Sequence, residues 1–208
     1  VHNVADRTET TINRLGRATV HEYDDRGNVI RTRDALGNVT QRFYDEFDNM
    51  TAEIDPLGNV TTHVYDDRDF MISTKDPLGN VTRFEHDAFG NVTKTIDPRG
   101  NVTRNIFDNF GQLLQTIDAM GNVTTNEYYP NVVQQVELPG RGPLKQTTDA
   151  LGNITRYEYG QFGLLAKQTN PDGSTVEYGY NGNGDRTMEK RKRTLPNNGG
   201  SEDLVTGF

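Results

Sequence analysis

The sequence predicts an all-β protein, an antiparallel β-meander built from a 21-residue repeat with two strands per repeat, and three observations predict it. First, Asp55-Pro56-Leu57-Gly58-Asn59-Val60-Thr61 returns letter for letter at Asp76-Pro77-Leu78-Gly79-Asn80-Val81-Thr82, 21 residues on. Near copies begin at Asp34, Asp97, Asp118 and Asp149 and weaker ones at Asn13 and Asn170; every step is 21 except that from Asp118 to Asp149, which is 31. A fixed period of this kind marks a repeat architecture. Second, an aromatic residue followed by Asp, two variable residues and Gly recurs between these copies, its aromatic slot filled by Tyr23, Tyr44, Tyr65, His86, Phe107, Tyr128, Tyr159 and Tyr180. Both motifs reduce to D-x-x-G, and the starts from Asp24 to Asp118 alternate spacings of 10 and 11. Third, only six or seven residues separate successive turns, enough for one ordinary strand and too few for a helix with its connections.

The turns follow from side-chain chemistry. Asp at the first position caps backbone N–H groups, Pro at the second presets φ for a type I turn, and Gly at the fourth accepts φ > 0. A type I turn followed by a left-handed residue closes many β-hairpins. The strands are β-prone: in Val60-Thr61-Thr62-His63-Val64-Tyr65, Val60, Thr62 and Val64 fall on one face and Thr61, His63 and Tyr65 on the other. Returning strands carry an apolar residue just after the turn (Val29, Met50, Met71, Val92, Leu113, Leu165) and often another four later (Ile54, Ile96, Ile117), an even spacing that predicts a shared face.

Taken in order, residues 1–33 hold the least regular copies; His2 to Arg7 form a degraded aromatic turn, and Asn13 replaces Asp as a cap. Residues 34–128 are the most regular. Asp48 and Asp69 stand where Gly is expected, which marks those two turns as strained. The third turn position is apolar in most copies (Leu36, Phe47, Leu57, Leu78, Phe89, Phe110, Met120, Leu151, Phe162), with Arg26, Arg68 and Arg99 as exceptions. This predicts that turn side chains fold over an apolar face or against a neighbouring layer. The stretch 129–148 holds a ten-residue insertion. Ten residues is one half-repeat, so an added strand near 132–138 and another near 144–148 are expected, with Gly142 as the φ > 0 residue and the turns at Asp149 and Asn170 moved to the rim opposite Asp97 and Asp118; the rival is a hairpin protruding beyond the rim, which would leave the order of the turns unchanged. The array thus spans 1–185, and 186–208 reads as a degenerate repeat or loop-rich tail, with the basic run Lys190–Arg193 in a solvated strand or loop and Pro196–Ser201 as a flexible loop.

Composition narrows the function. The formal charge is −8, from 30 acidic against 22 basic residues, which disfavours nucleic acid as a partner. There is no Cys, hence no disulfide framework or thiolate metal site, and no apolar run long enough for a membrane span. With 32% hydrophobic residues and 21 Gly, the sheet is expected to bury one face in patches. The chain starts without Met and in mid-pattern, as a fragment of a longer repeat protein would.

Candidate chemistry is sparse. His21 and His63 occupy equivalent positions two repeats apart, ~19 Å at ~4.8 Å per strand, too far to share a metal; His86 substitutes for Tyr in the aromatic slot, and His2 lies in the degraded first turn. Each turn offers one dependable carboxylate already used as a cap, which argues against calcium. Eight N-x-[ST] triplets occur, at Asn38, Asn49, Asn59, Asn80, Asn91, Asn101, Asn122 and Asn153, and most of them follow from Gly-Asn-Val-Thr as a turn exit. No catalytic, cofactor-binding or metal-binding residue is expected, and the chain is not expected to be an enzyme.

The paired elements Gly-Asn-Val-Thr-x-x-x-Tyr-Asp and D-x-x-G-Asn, with Tyr23-Asp24, Tyr44-Asp45 and Tyr65-Asp66 in phase with the glycines, resemble the YD repeats of the Rhs family. That family includes bacterial polymorphic toxins, Tc toxin C components, wall-associated proteins and teneurins. The resemblance covers residues 13–185. It implies a long antiparallel strip spiralling into a hollow shell that, in the toxins, encloses a C-terminal effector. Some sixteen short strands also exceed the width at which open twisted sheets stay open, so the strip should curl. No Asp-Pro-x-Gly copy is followed by the family's core-closing segment, and Asp97-Pro98-Arg99-Gly100 reads as a turn rather than an autoproteolytic site. Two functions are therefore expected: a non-catalytic structural segment of such a shell, enclosing a C-terminal toxin or effector, or a cell-surface adhesive module binding glycan or protein. The implied partners are flanking repeats, an enclosed effector and other copies through open sheet edges; the implied setting is secreted or cell-surface.

Overall fold

The computed structural model describes residues 2–3, 6–133, 136–138, 142–194 and 201–207, in two compact units, Val1–Val102 and Thr103–Phe208. The first holds β1 (His2–Asn3), β2 (Thr8–Ile12), β3 (Ala18–Tyr23), β4 (Val29–Arg33), β5 (Val39–Tyr44), β6 (Met50–Ile54), β7 (Val60–Tyr65), β8 (Met71–Lys75), β9 (Val81–His86) and β10 (Val92–Ile96). Each pairs antiparallel with the next. The second holds β11 (Val102–Phe107), β12 (Leu113–Ile117), β13 (Val123–Tyr128), β14 (Asn131–Val133), β15 (Val136–Leu138), β16 (Leu144–Thr148), β17 (Ile154–Tyr159), β18 (Leu165–Thr169), β19 (Thr175–Tyr180), β20 (Arg186–Thr194) and β21 (Ser201–Gly207). The expected all-β meander is what forms; the helical content of the described residues is one 3-10 turn, Gln161–Gly163.

Each D-x-x-G is a closed turn. In Asp55–Asn59 the Gly58 N–H donates to the Asp55 carbonyl at 3.0 Å and the Asp55 N–H to the Asn59 carbonyl at 3.0 Å. Gly58 and Gly79 sit at φ 84° and 88°, and the expected strained positions Asp48 and Asp69 at 68° and 63°. Arg7 and Phe162 are also left-handed, at 50° and 62°. Phe162 follows Gly160, which stands in the capping position and offers no carboxylate.

The odd repeat length creates a problem that the hairpins solve. Side chains alternate faces with a period of two, so residues 21 apart would land on opposite faces unless parity is reversed once per repeat. Every aromatic-turn hairpin contains that reversal. In β7–β8, Val64 pairs with Ser73 but Tyr65 with Met71, a bulge that inserts one extra residue. The hairpins β3–β4, β5–β6, β9–β10, β11–β12, β17–β18 and β19–β20 repeat it, while the Asp-Pro hairpins run in unbroken register. One expectation is thereby corrected. The bulge puts Met50 opposite Tyr44 and Ile54 opposite Gln41, so the apolar pair four residues apart is split between faces.

Two different faces result. On one, aromatic-slot residues pair with the first residue of the returning strand, and next to them runs a polar row of cross-strand pairs, His21 with Thr32, Arg42 with Glu53 and His63 with Thr74. In the first unit the other carries Gln41, Phe43, Val60 and Val64, with Val64 at 52% exposure. No apolar side chain among the described residues is fully buried.

The insertion departs from expectation. The strand at Leu144–Thr148 forms as predicted, but it pairs directly with β13, while β14 and β15 pair with each other as a separate two-stranded hairpin. Among the described residues no strand is added to the sheet, and the turns at Asp118, Asp149 and Asn170 share one rim. The physical reason is visible at the neck. The Tyr129 N–H donates to the Pro143 carbonyl at 2.9 Å, and the Gln112 amide to the Gly142 carbonyl at 2.8 Å. These bonds bring the chain back to the point where it left. Residues 134–135 and 139–141 lie outside the described residues.

Candidate functional site

With no pocket chemistry prominent in the sequence, the turns are the repeated functional units. Their caps are more complete than D-x-x-G alone implies. The Asp55 Oδ1 accepts the N–H of Leu57 at 2.8 Å and of Asn59 at 2.9 Å, and Oδ2 accepts the Asn59 side-chain amide at 2.7 Å. The same three bonds recur at Asp34, Asp76, Asp87, Asp118 and Asp149. The Asn after Gly is thus a reciprocal partner of the Asp, a signal present in D-x-x-G-N that the turn rules pass over. At Asn181 the pair is reversed: its Oδ1 holds the N–H groups of Asn183 and Asp185, and its amide donates to the Asp185 carboxylate. The Asn59 amide and then the backbone N–H groups hold the Asp55 carboxyl below the usual carboxylate range. Asp118 and Asp149 are lowered for the same causes in the same order.

The two rims differ. On the aromatic rim, adjacent hairpins are tied together. The Tyr65 hydroxyl donates to the Met50 carbonyl at 3.0 Å, and Tyr44, Tyr128 and Tyr180 do the same to Val29, Leu113 and Leu165. Burial, and then the Asp45 carboxylate, hold the Tyr65 phenol above its ordinary value. The two Asp residues in glycine positions serve as acceptors here. Asn28 donates to Asp48 at 2.6 Å and Asn49 to Asp69 at 2.8 Å, each reaching one turn further along the rim, and Arg26 pairs with Asp48 at 3.2 Å. Where Phe70 replaces that Asn, its ring stacks on His86 with centroids 5.3 Å apart and lies under the Arg68 guanidinium at 4.9 Å. On the Asp-Pro rim the turn bonds close within each turn.

Apart from Phe110, which is 49% exposed, the apolar third-position side chains do not fold over the sheet. Leu36, Leu57, Leu78, Met120 and Leu151 are 82–87% exposed, and Phe47, Phe89 and Phe162 are 68–84% exposed. The reason is geometric: the closed five-residue turn places that residue at its apex, beyond the last cross-strand pair. The rims also divide by side-chain type, Leu and Met on the Asp-Pro rim and Phe on the aromatic rim, a distinction already legible in the sequence.

The histidines stay apart in separate environments. His21 Nδ1 lies 3.2 Å from the Thr32 hydroxyl, while the Nδ1 atoms of His63 and His86 are buried without a partner. His63 lines a groove of about 550 Å³ with Asp45, Phe47, Asn49, Tyr65 and Asp69. Among the described residues no three His, Asp or Glu side chains converge as metal ligands would. The basic run Lys190–Arg193 lies in β20, where Lys190 pairs with Asp203 at 2.9 Å and Arg191 with Glu189 at 2.7 Å.

A serial antiparallel sheet, closed by capped turns and tied along one rim by tyrosine hydroxyls, defines a β-repeat scaffold. The RHS repeat family matches residues 23–60, 65–102 and 140–175, more than half of the chain, and the chain belongs to that family. No curated protein matches it. Among solved structures, the Tc holotoxin pore of Photorhabdus luminescens is similar at 17% identity and a TM-score of 0.42, over 88% of this chain and 14% of that one. The TcdB2–TccC3–Cdc42 complex is similar at 13% and 0.40, over 94% and 15%. A porin-like protein from Bacteroides uniformis is similar at 13% and 0.40, over 95% and 92%. The chain spans about 15% of the toxin chain in that complex. Among the described residues no helix is long and apolar enough to cross a membrane. The chain is a structural repeat segment.

Proposed function

We propose that this segment is a non-catalytic length of wall in a YD-repeat β-shell that encloses a C-terminal toxin or effector, in a protein that is secreted or displayed at the cell surface. The observation that carries this reading is the absence of any fully buried apolar side chain among the described residues, together with leucines and phenylalanines exposed at regular intervals along both rims. A sheet of this kind completes its burial against further layers, and flanking repeats of the same chain are the partners that match its period. The test is protease protection of the C-terminal domain in the longer protein. Replacing Leu36, Leu57 and Leu78 with Lys should leave the β-content intact and expose the effector to digestion. Unchanged protection would overturn the wall assignment for this rim.

A second reading, an adhesive module binding glycan or protein, gains from the excursion at β14–β15, which leaves the sheet and returns without adding to it. Deleting residues 130–142 should then abolish attachment to cells while sparing protease protection; retained attachment would eliminate this reading.

A further inference from the structure

The wall reading says what the sheet holds, not what releases it, and the turns supply an answer that stands whether or not anything is enclosed. We propose that the turns headed by an Asp with an Asn partner are acid-operated latches, opening one by one below about pH 4 while the Asn13 turn of the same chain stays shut.

The geometry is specific. In the Asp55 turn both carboxylate oxygens act as acceptors, Oδ1 for two backbone N–H groups and Oδ2 for the Asn59 amide. A proton on Oδ2 turns that acceptor into a donor facing another donor, so the Asn59 bond is lost and the remaining bonds lose their charge assistance. The chain contains its own control. Asn13 holds the N–H groups of Leu15 and Arg17 through Oδ1 at 2.9 and 3.1 Å, and no carboxylate stands among residues 13–17. The Asn170 turn is no such control, because the Asp172 carboxylate inside it accepts the Ser174 N–H at 2.9 Å and the Ser174 hydroxyl at 2.7 Å.

The neighbouring charges leave the Asp latches to themselves. The lowering at Asp34, Asp55, Asp76, Asp118 and Asp149 comes from partners inside each turn, the Asn amide first. Arg33 and Lys75 precede Asp34 and Asp76 in sequence, and Arg99 adds attraction at Asp97. Arg26 does so at Asp24 and Asp45, and Arg68 at Asp66. The sign follows from linkage: a carboxyl lowered in the folded state contributes stability above its unfolded value, 3.8 here, and loses it as pH falls through the folded value.

Hydrogen exchange followed by mass spectrometry on the whole chain tests this, with intrinsic rates corrected at each pH between 5 and 2. Protection of the Leu57 and Leu78 turns should fall on the order of tenfold for each unit by which their carboxyls are lowered, while the Asn13 turn keeps its own. In the double variant Asp55→Asn, Asn59→Arg, which copies the pair at Asn13 and Arg17, the loss at Leu57 should vanish and that at Leu78 remain. Simultaneous loss at all turns, which would signal global unfolding, overturns the proposal. So does protection that persists at every turn down to pH 2.

Discussion

Gly58 stands in open space: an added Cβ would meet nothing within 4 Å, yet its φ is 84°. Substitution there isolates the backbone effect. Gly58→Val should cost about 1–3 kcal/mol, because a β-branched side chain is forced into the left-handed region. Gly90 adds a steric effect, since its Cβ would lie 2.7 Å from the Phe70 ring. Gly90→Ala should therefore lower the melting temperature more than Gly58→Ala; equal losses would show that Phe70 yields freely. Asp69 is the opposite case. From the sequence alone its replacement by Gly promises only relief of strain, but the structure gives its carboxylate a partner, Asn49 at 2.8 Å. Relief and loss oppose each other, so Asp69→Gly should fall within about 1 kcal/mol of the parent. It should stabilise clearly once Asn49→Ala has removed the donor. A double-mutant cycle showing no coupling would remove the bond from the account.

At the scale of the element, the hairpin is legible in the sequence and the excursion is not. Asp, Gly and the strand between them are local requirements, and the turn at Asp55–Asn59 and the strand Val60–Tyr65 fall where D-x-x-G places them. The bulge at Tyr65 leaves no mark except the odd repeat length, which is why spacing alone puts Met50 and Ile54 on one face. Gly142 misleads more seriously. In sequence it imitates a turn glycine, but it is absent from the positive-φ residues, and an added Cβ would lie 1.9 Å from the Tyr129 carbonyl oxygen. It is a glycine of close approach, and close approach between Gly142 and Tyr129 is a tertiary fact. Gly142→Ala should force the neck open and weaken the ties from Gln112 to Gly142 and from Tyr129 to the Tyr157 carbonyl, the latter 3.1 Å long. Faster hydrogen exchange confined to residues 128–145 would be the expected result; an unchanged profile would show that the neck does not depend on it.

For the whole molecule, the question is what an open repeat sheet does with its edges. β21 pairs with β20 on one side, and no described strand takes the other. Leu204 and Val205, 65% and 57% exposed, lie on its opposite faces, and the acidic pair Glu202 and Asp203 is the only charge within Ser201–Gly207, which holds no proline or lysine. An edge guarded by one acidic pair still recruits strands, and a second copy supplies one with the same backbone spacing. The 208-residue chain should therefore self-associate in sedimentation at rising concentration. Two sets of substitutions separate the causes. Leu204→Lys with Val205→Lys should suppress edge pairing and leave the rims untouched, whereas Lys at Leu36, Leu57 and Leu78 should leave edge pairing intact and suppress any stacking through the Asp-Pro rim. If the edge pair abolishes association and the rim triple does not, the copies join strand to strand. The reverse result would make the leucine rim the adhesive surface even outside a shell, and a parent chain that remains monomeric at every concentration would show that the edge at β21 protects itself.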